Sequence, residues 1–105
     1  LKSSPYNNLS NKYCPKGAGA VFTFGVKGGY NASIKLVESV NLFSHLANIG
    51  DTRSLILHPA STTHRQLTVE QREIAGASPD VIRLSVGQES IDDLISDLNQ
   101  ALNKL

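Results

Sequence analysis

Between Gly19 and Val26 the chain alternates, with Ala20, Phe22, Phe24 and Val26 on one face and Val21, Thr23 and Gly25 on the other. A period of two marks a strand. The segment "KGGYNAS" then breaks the chain, and Leu36, Val40, Phe43 and Ala47 recur at spacings of four, three and four. That stripe predicts a helix from about Ala32 to Leu46. "SLILHP" predicts a second short strand, stopped by Pro59, which cannot donate to a ladder. Thr68 with Gln71 forms a capping box, so a short helix should run to about Ala75 and stop at Gly76. "DVIRLSVG" predicts a third strand. Ser90 is placed to cap a last helix, with Asp92 and Asp93 at the positive end of its dipole and Ile91, Leu94, Ile95, Leu98 and Leu102 as its apolar face. Residues 1–16, rich in Ser, Asn, Pro and Lys, read as an irregular or partly helical lead-in. The predicted order is β-α-β-α-β-α, an α/β or α+β layered domain over residues 17–105 with helices on one face of a small sheet. The other sheet face then needs a cover, and an isolated domain would self-associate through it.

Composition narrows the function. The 105 residues are 40% apolar, one domain's worth of core. Ten Lys plus Arg against nine Asp plus Glu leave a formal charge of +1, with no basic stripe interleaved with aromatics, which speaks against nucleic acid. The single cysteine, Cys14, excludes an internal disulfide and suits the cytoplasm. No apolar run nears the roughly 20 residues a bilayer crossing needs, and the N-terminus does not read as a signal peptide. Without one, the sequons at Asn8 and Asn31 carry no weight. The chain starts at Leu1 and contains no methionine, so we expect a piece of something longer.

Several residues invite chemistry. "HPASTTHRQL", from His58 to Leu67, concentrates two histidines and three hydroxyls on a predicted loop. His45, His58 and His64 lack the spacing and cysteine partners of a zinc site, and His58 before Pro59 reads better as a loop anchor. Ser61, His64 and Asp80 can be drawn as a triad, but no elbow glycines flank the serine. Cys14 reads as a semi-buried small hydrophobe. Gly17 and Gly19 precede a strand, the wrong order for a nucleotide fingerprint. Asn48, near the end of the predicted helix, either caps it or reaches a ligand. Arg83 at mid-strand is either a solvent-facing cation or a carboxylate clamp, whose paired donors match a carboxylate.

"SHLANIGDTRSLILHPASTTHRQLT" followed by "VIRLSVGQESIDDLISDL" resembles the C-terminal domain of the Cys/Met-metabolism pyridoxal-phosphate enzymes over nearly the whole chain. "GAGAVFTFGVKGG" and "LANIGD" look most like the O-acetylhomoserine sulfhydrylase branch, with cystathionine γ-synthases and γ-lyases as near relatives. The resemblance implies a fold type I enzyme whose small domain carries a mainly antiparallel sheet with helices on one side. It implies that Arg83 binds the substrate α-carboxylate, that Asn48 stands where γ-lyases commonly have serine, and that Ser61 and Thr62 border the pocket. The cofactor, pyridoxal phosphate, would be held mainly by a larger domain that also carries the Schiff-base lysine, and no lysine here sits in a matching motif. The chain alone would then be inert, and the full enzyme a cytoplasmic homo-oligomer acting on an amino acid. A non-catalytic binding or assembly module with the same fold is the alternative.

Overall fold

A computed structural model describes residues 2–105; Leu1, the start of the lead-in, lies outside the described residues. The chain runs α1 (Asn7–Tyr13), β1 (Val21–Gly25), α2 (Gly29–Ser39), β2 (Ser44–His45), β3 (Leu55–Leu57), a 3-10 turn (Pro59–Ser61), α3 (Val69–Ile74), β4 (Val81–Ser85) and α4 (Ile91–Leu102). The four strands lie in the order β1-β4-β3-β2. β4 is antiparallel to both neighbours, and only the two-residue β2 pairs parallel. The architecture is a mixed α/β layer with a mainly antiparallel sheet.

Alternation along the strands sorts their side chains. Phe24 is paired with Ile82, and Leu84 with both Phe22 and Ile56, so these residues share one face. There α2 and α4 supply Leu36, Val37, Leu94 and Ala101 to a common core. Leu55 and Leu57 point the other way yet are only 2% and 4% exposed. The face expected to lie bare is therefore covered at β3 by the chain's own loops, and Leu57 lines a hollow with Leu46, Ala47 and Thr62. Exposed apolar side chains include Leu9 and Tyr13 on α1 and Val21 and Phe22 on the edge strand β1, with others, Ile49, Ile74 and Ile91 among them, spread over the surface.

The second helix departs from its predicted span. It begins at Gly29 and stops at Ser39, after which Val40 turns extended and the chain enters β2. The cause lies on α4. The buried Asp97 carboxylate accepts hydrogen bonds from the backbone N–H groups of Asn41, Leu42 and Phe43 at 2.8–3.2 Å. Gln100 Nε2 donates both to the Ser39 carbonyl, at 2.7 Å, and to Asp97 Oδ1. A long-range carboxylate thus satisfies the groups that further helix would have bonded internally. Leu36, Val40 and Phe43 still reach the core, but Phe43 does so from a bend and Ala47 is exposed.

On α4 the predicted stripe is also partly displaced. Leu94 and Ala101 are buried and Leu98 packs against the core, whereas Ile91, Ile95 and Leu102 are exposed. Ser90 occupies the N-cap position without a side-chain hydrogen bond. At α3 the capping box forms as read: Thr68 accepts from Gln71 N–H, the Gln71 side chain accepts from Thr68 N–H, and Gly76 takes a φ of 70°. Thr68→Ala removes that cap. It should cost about 1 kcal/mol by thermal unfolding.

Candidate functional site

Arg83 sits on an inner strand between Thr23 of β1 and Leu57 of β3. Ladders on both sides fix the backbone of this half-buried residue, so its guanidinium is delivered from a rigid position. Its Nη2 donates to the Asn48 carbonyl at 3.1 Å. The only ion pair among the described residues joins Arg53 to Asp51 elsewhere, so no side-chain carboxylate here pairs with Arg83. A guanidinium has five N–H donors, and one neutral carbonyl leaves most of them for a ligand.

Asn48 is not at a helix end, since α2 stops well before it. It lies in the exposed loop between β2 and β3, and its side-chain oxygen accepts from the Ile49 N–H at 2.9 Å. Its backbone carbonyl, not its amide, faces Arg83.

Ser61 and Thr62 belong to a second group centred on His58. His58 is 1% exposed, with Nδ1 2.9 Å from Ser61 Oγ and Nε2 2.8 Å from the Pro79 carbonyl. Because that carbonyl can only accept, Nε2 carries a proton, and the Ser61 hydroxyl also donates to the His58 carbonyl at 3.3 Å. Thr62 Oγ1 donates to the His58 carbonyl at 2.8 Å. Tyr30 meets the imidazole edge-on, with centroids 5.0 Å apart. His58 is the loop anchor its place before Pro59 suggests. The drawn triad does not assemble: Ser61 pairs with His58, while His64 Nδ1 lies 2.8 Å from Thr63 Oγ1.

Thr62 borders two hollows, and neither Arg83 nor Asn48 lines either of them. Thr62 lines one hollow of about 250 Å³ with Glu38, His45, His58 and Ser61, and another of about 260 Å³ with Leu46, Ala47 and Leu57, the strand partner of Arg83. Cys14 is exposed and stands apart from both, contrary to a semi-buried reading.

Sequence reading overlooked the anchor of the Asn48 loop. Glu89 accepts from Ser54 N–H and from the Ser54 hydroxyl, both at 2.8 Å, and Gly87 N–H donates to that hydroxyl at 2.8 Å. These bonds, the backbone one first, hold the Glu89 carboxyl below its ordinary range. A Cβ at Gly87 would run into the Thr52 carbonyl and lie 2.7 Å from Ser54 N, so only glycine lets the strands close here. Asp51 is held down to about 2 by its side-chain bond to Arg53. The glycine in "SVGQES" was the one available signal.

A small mainly antiparallel sheet, with helices over one face and Arg83 on an inner strand facing the other, defines the class of the fold as a mixed α/β layer. Residues 1–103 match the model of the Cys/Met metabolism PLP-dependent enzymes, and the chain belongs to that family. It is 50% identical over 102 residues to O-acetyl-L-homoserine sulfhydrylase 1 of Thermus thermophilus, covering 97% of this chain and 24% of that one. Homocysteine synthase of Schizosaccharomyces pombe is 49% identical over 97% of this chain and 24% of its own, and an L-methionine gamma-lyase of Fusobacterium nucleatum 42% over 100% and 26%. A Campylobacter jejuni crystal structure, described as an O-acetylhomoserine (thiol)-lyase with N′-pyridoxyl-lysine-5′-monophosphate, superposes with a TM-score of 0.89 at 44% identity. It covers 98% of this chain and 24% of that one. The chain thus spans about a quarter of the length of these relatives.

Pyridoxal phosphate is the cofactor of the family. All six lysines of this chain are exposed, and none lines either hollow beside the site.

Proposed function

We propose that the chain is the C-terminal, substrate-carboxylate-binding domain of an O-acetylhomoserine sulfhydrylase, with residues 1–16 as lead-in and 17–105 as the domain. The observation that carries this is Arg83, a half-buried residue on an inner strand whose guanidinium contacts a neutral carbonyl. A carboxylate laid against its free edge accepts two parallel N–H bonds, which fixes the amino acid's orientation. In this reading Asn48 steadies the guanidinium through its backbone carbonyl, and Ser61 and Thr62 border the substrate entrance. Pyridoxal phosphate, when bound, supplies the electron sink for carbanion chemistry. The overall exchange breaks the Cγ–O bond of O-acetylhomoserine, releases acetate, and forms a Cγ–S bond to sulfide, giving homocysteine. Arg83 positions the substrate and transfers no proton.

The names and identities of the Thermus and Schizosaccharomyces relatives support a sulfhydrylase over a γ-lyase. The cofactor lysine belongs, in this reading, to the rest of the enzyme chain, which also completes a homo-oligomer in the cytoplasm. The apolar residues left open on α1 and β1 support such a covering. Incubated with pyridoxal phosphate and reduced with borohydride, this chain alone should show no stoichiometric lysine adduct by intact mass. It should form no homocysteine from O-acetylhomoserine and sulfide, whereas the complete enzyme should. Turnover by the isolated chain overturns the division of labour, and methanethiol release from methionine by the complete enzyme in place of γ-replacement makes it a γ-lyase.

A further inference from the structure

Resting on that reading of Arg83, we propose that Glu89 is a positioning residue for carboxylate recognition, acting through the Asn48 loop. The segment from Leu46 to Arg53 has no strand or helix, and all of its residues except Asp51 are exposed. Such a loop has little packing to define its path. Its Asn48 carbonyl nevertheless has to meet Arg83 Nη2 at 3.1 Å.

What defines the path is the downstream end. Ser54 is fully buried, and each of its polar atoms is used. Its N–H and hydroxyl donate to the two oxygens of Glu89, its hydroxyl accepts from Gly87 N–H, and its carbonyl accepts from Ser44 N–H at 2.9 Å. Gln88 N–H adds a bond to the Thr52 carbonyl at 2.9 Å. A carboxylate is required because it accepts two donors at once and donates nothing. Glu89 lies just past the strand that carries Arg83, so one stretch of chain supplies both the fork and the clamp on the loop that steadies it. When the clamp loosens, the Asn48 carbonyl drifts and the guanidinium loses its fixed rotamer. The reaction machinery itself is untouched.

The test uses the complete enzyme loaded with cofactor. Glu89→Gln keeps the shape but replaces one acceptor oxygen with a donor. It should raise KM for O-acetylhomoserine about tenfold with kcat within about twofold, short of the roughly hundredfold loss that ångström-scale misplacement of a binding group brings. It should also narrow the preference for O-acetylhomoserine over its α-carboxamide. If Glu89→Gln does not fold, Ser54→Ala, which removes only the hydroxyl links, should raise KM about threefold in the same manner. Arg83→Ala run in parallel separates the two ideas. If Arg83→Ala abolishes the carboxylate preference while Glu89→Gln and Ser54→Ala leave KM and preference unchanged, Glu89 is a stability residue only and the proposal fails. Should Arg83→Ala itself keep the preference, the reading of Arg83 fails and this proposal with it.

Discussion

Asp97→Ala should lower the stability of the fold by about 3 kcal/mol, a loss of roughly 15 °C in the unfolding midpoint for a domain of this size. The carboxylate accepts three successive backbone N–H groups from Asn41, Leu42 and Phe43 and is 7% exposed. Alanine leaves those donors without a partner. Phe43 is buried, so its amide cannot simply turn to water, and an orphaned buried donor costs about 1–3 kcal/mol. Asp97→Asn, which keeps one acceptor oxygen, should lose less. Hydrogen exchange at the amides of residues 41–43 should accelerate in both variants, more in the alanine one. A midpoint unchanged within about 2 °C would mean that these amides find other partners.

The same contact sets an acid limit. Burial alone would push the Asp97 carboxyl up, but the three backbone bonds and Gln100 outweigh it and hold it below its ordinary value. A group depressed in the folded state contributes stability that is fully present above its unfolded value, about pH 4, and is lost as pH falls through the lower folded one. Glu89, depressed by Ser54, acts in the same direction. The wild-type chain should therefore unfold on acidification below about pH 4, and the Asp97→Ala variant should show a flatter acid limb.

Asp97 also shows where sequence reasoning stops. Strands β1, β3 and β4, the capping box of α3 and the existence of α4 were legible, because each rests on local periodicity or on a cap within a few residues. The end of α2 was not. Leu36, Val40, Phe43 and Ala47 fit a helical stripe, and what stops the helix is a carboxylate more than fifty residues away. Periodicity also cannot separate the two flanks of α4, which is why Ile91 and Ile95 look like core and are not. At the site, Arg83 was visible as a cation at mid-strand. Its contact with Asn48 was not, because a loop carbonyl has no sequence signature.

Arg83→Ala carries the largest functional effect. On the proposed role, removing the fork would delete two charge-assisted bonds to the α-carboxylate, each contributing about 1.5–3 kcal/mol, and release the substrate from its fixed orientation. A drop in kcat/KM of at least about a hundredfold should follow, with KM rising, cofactor content unchanged and the fold intact. Arg83→Lys should recover only part of the loss, since an ammonium is a point charge and cannot offer two parallel donors.

The decisive measurement compares kcat/KM for O-acetylhomoserine and for its α-carboxamide, with sulfide as acceptor, in the complete wild-type enzyme and its Arg83→Ala variant. The wild type should favour the carboxylate by about a hundredfold and the variant should lose nearly all of that preference. An equal preference in both would place carboxylate recognition on another residue and contradict the role assigned to this domain.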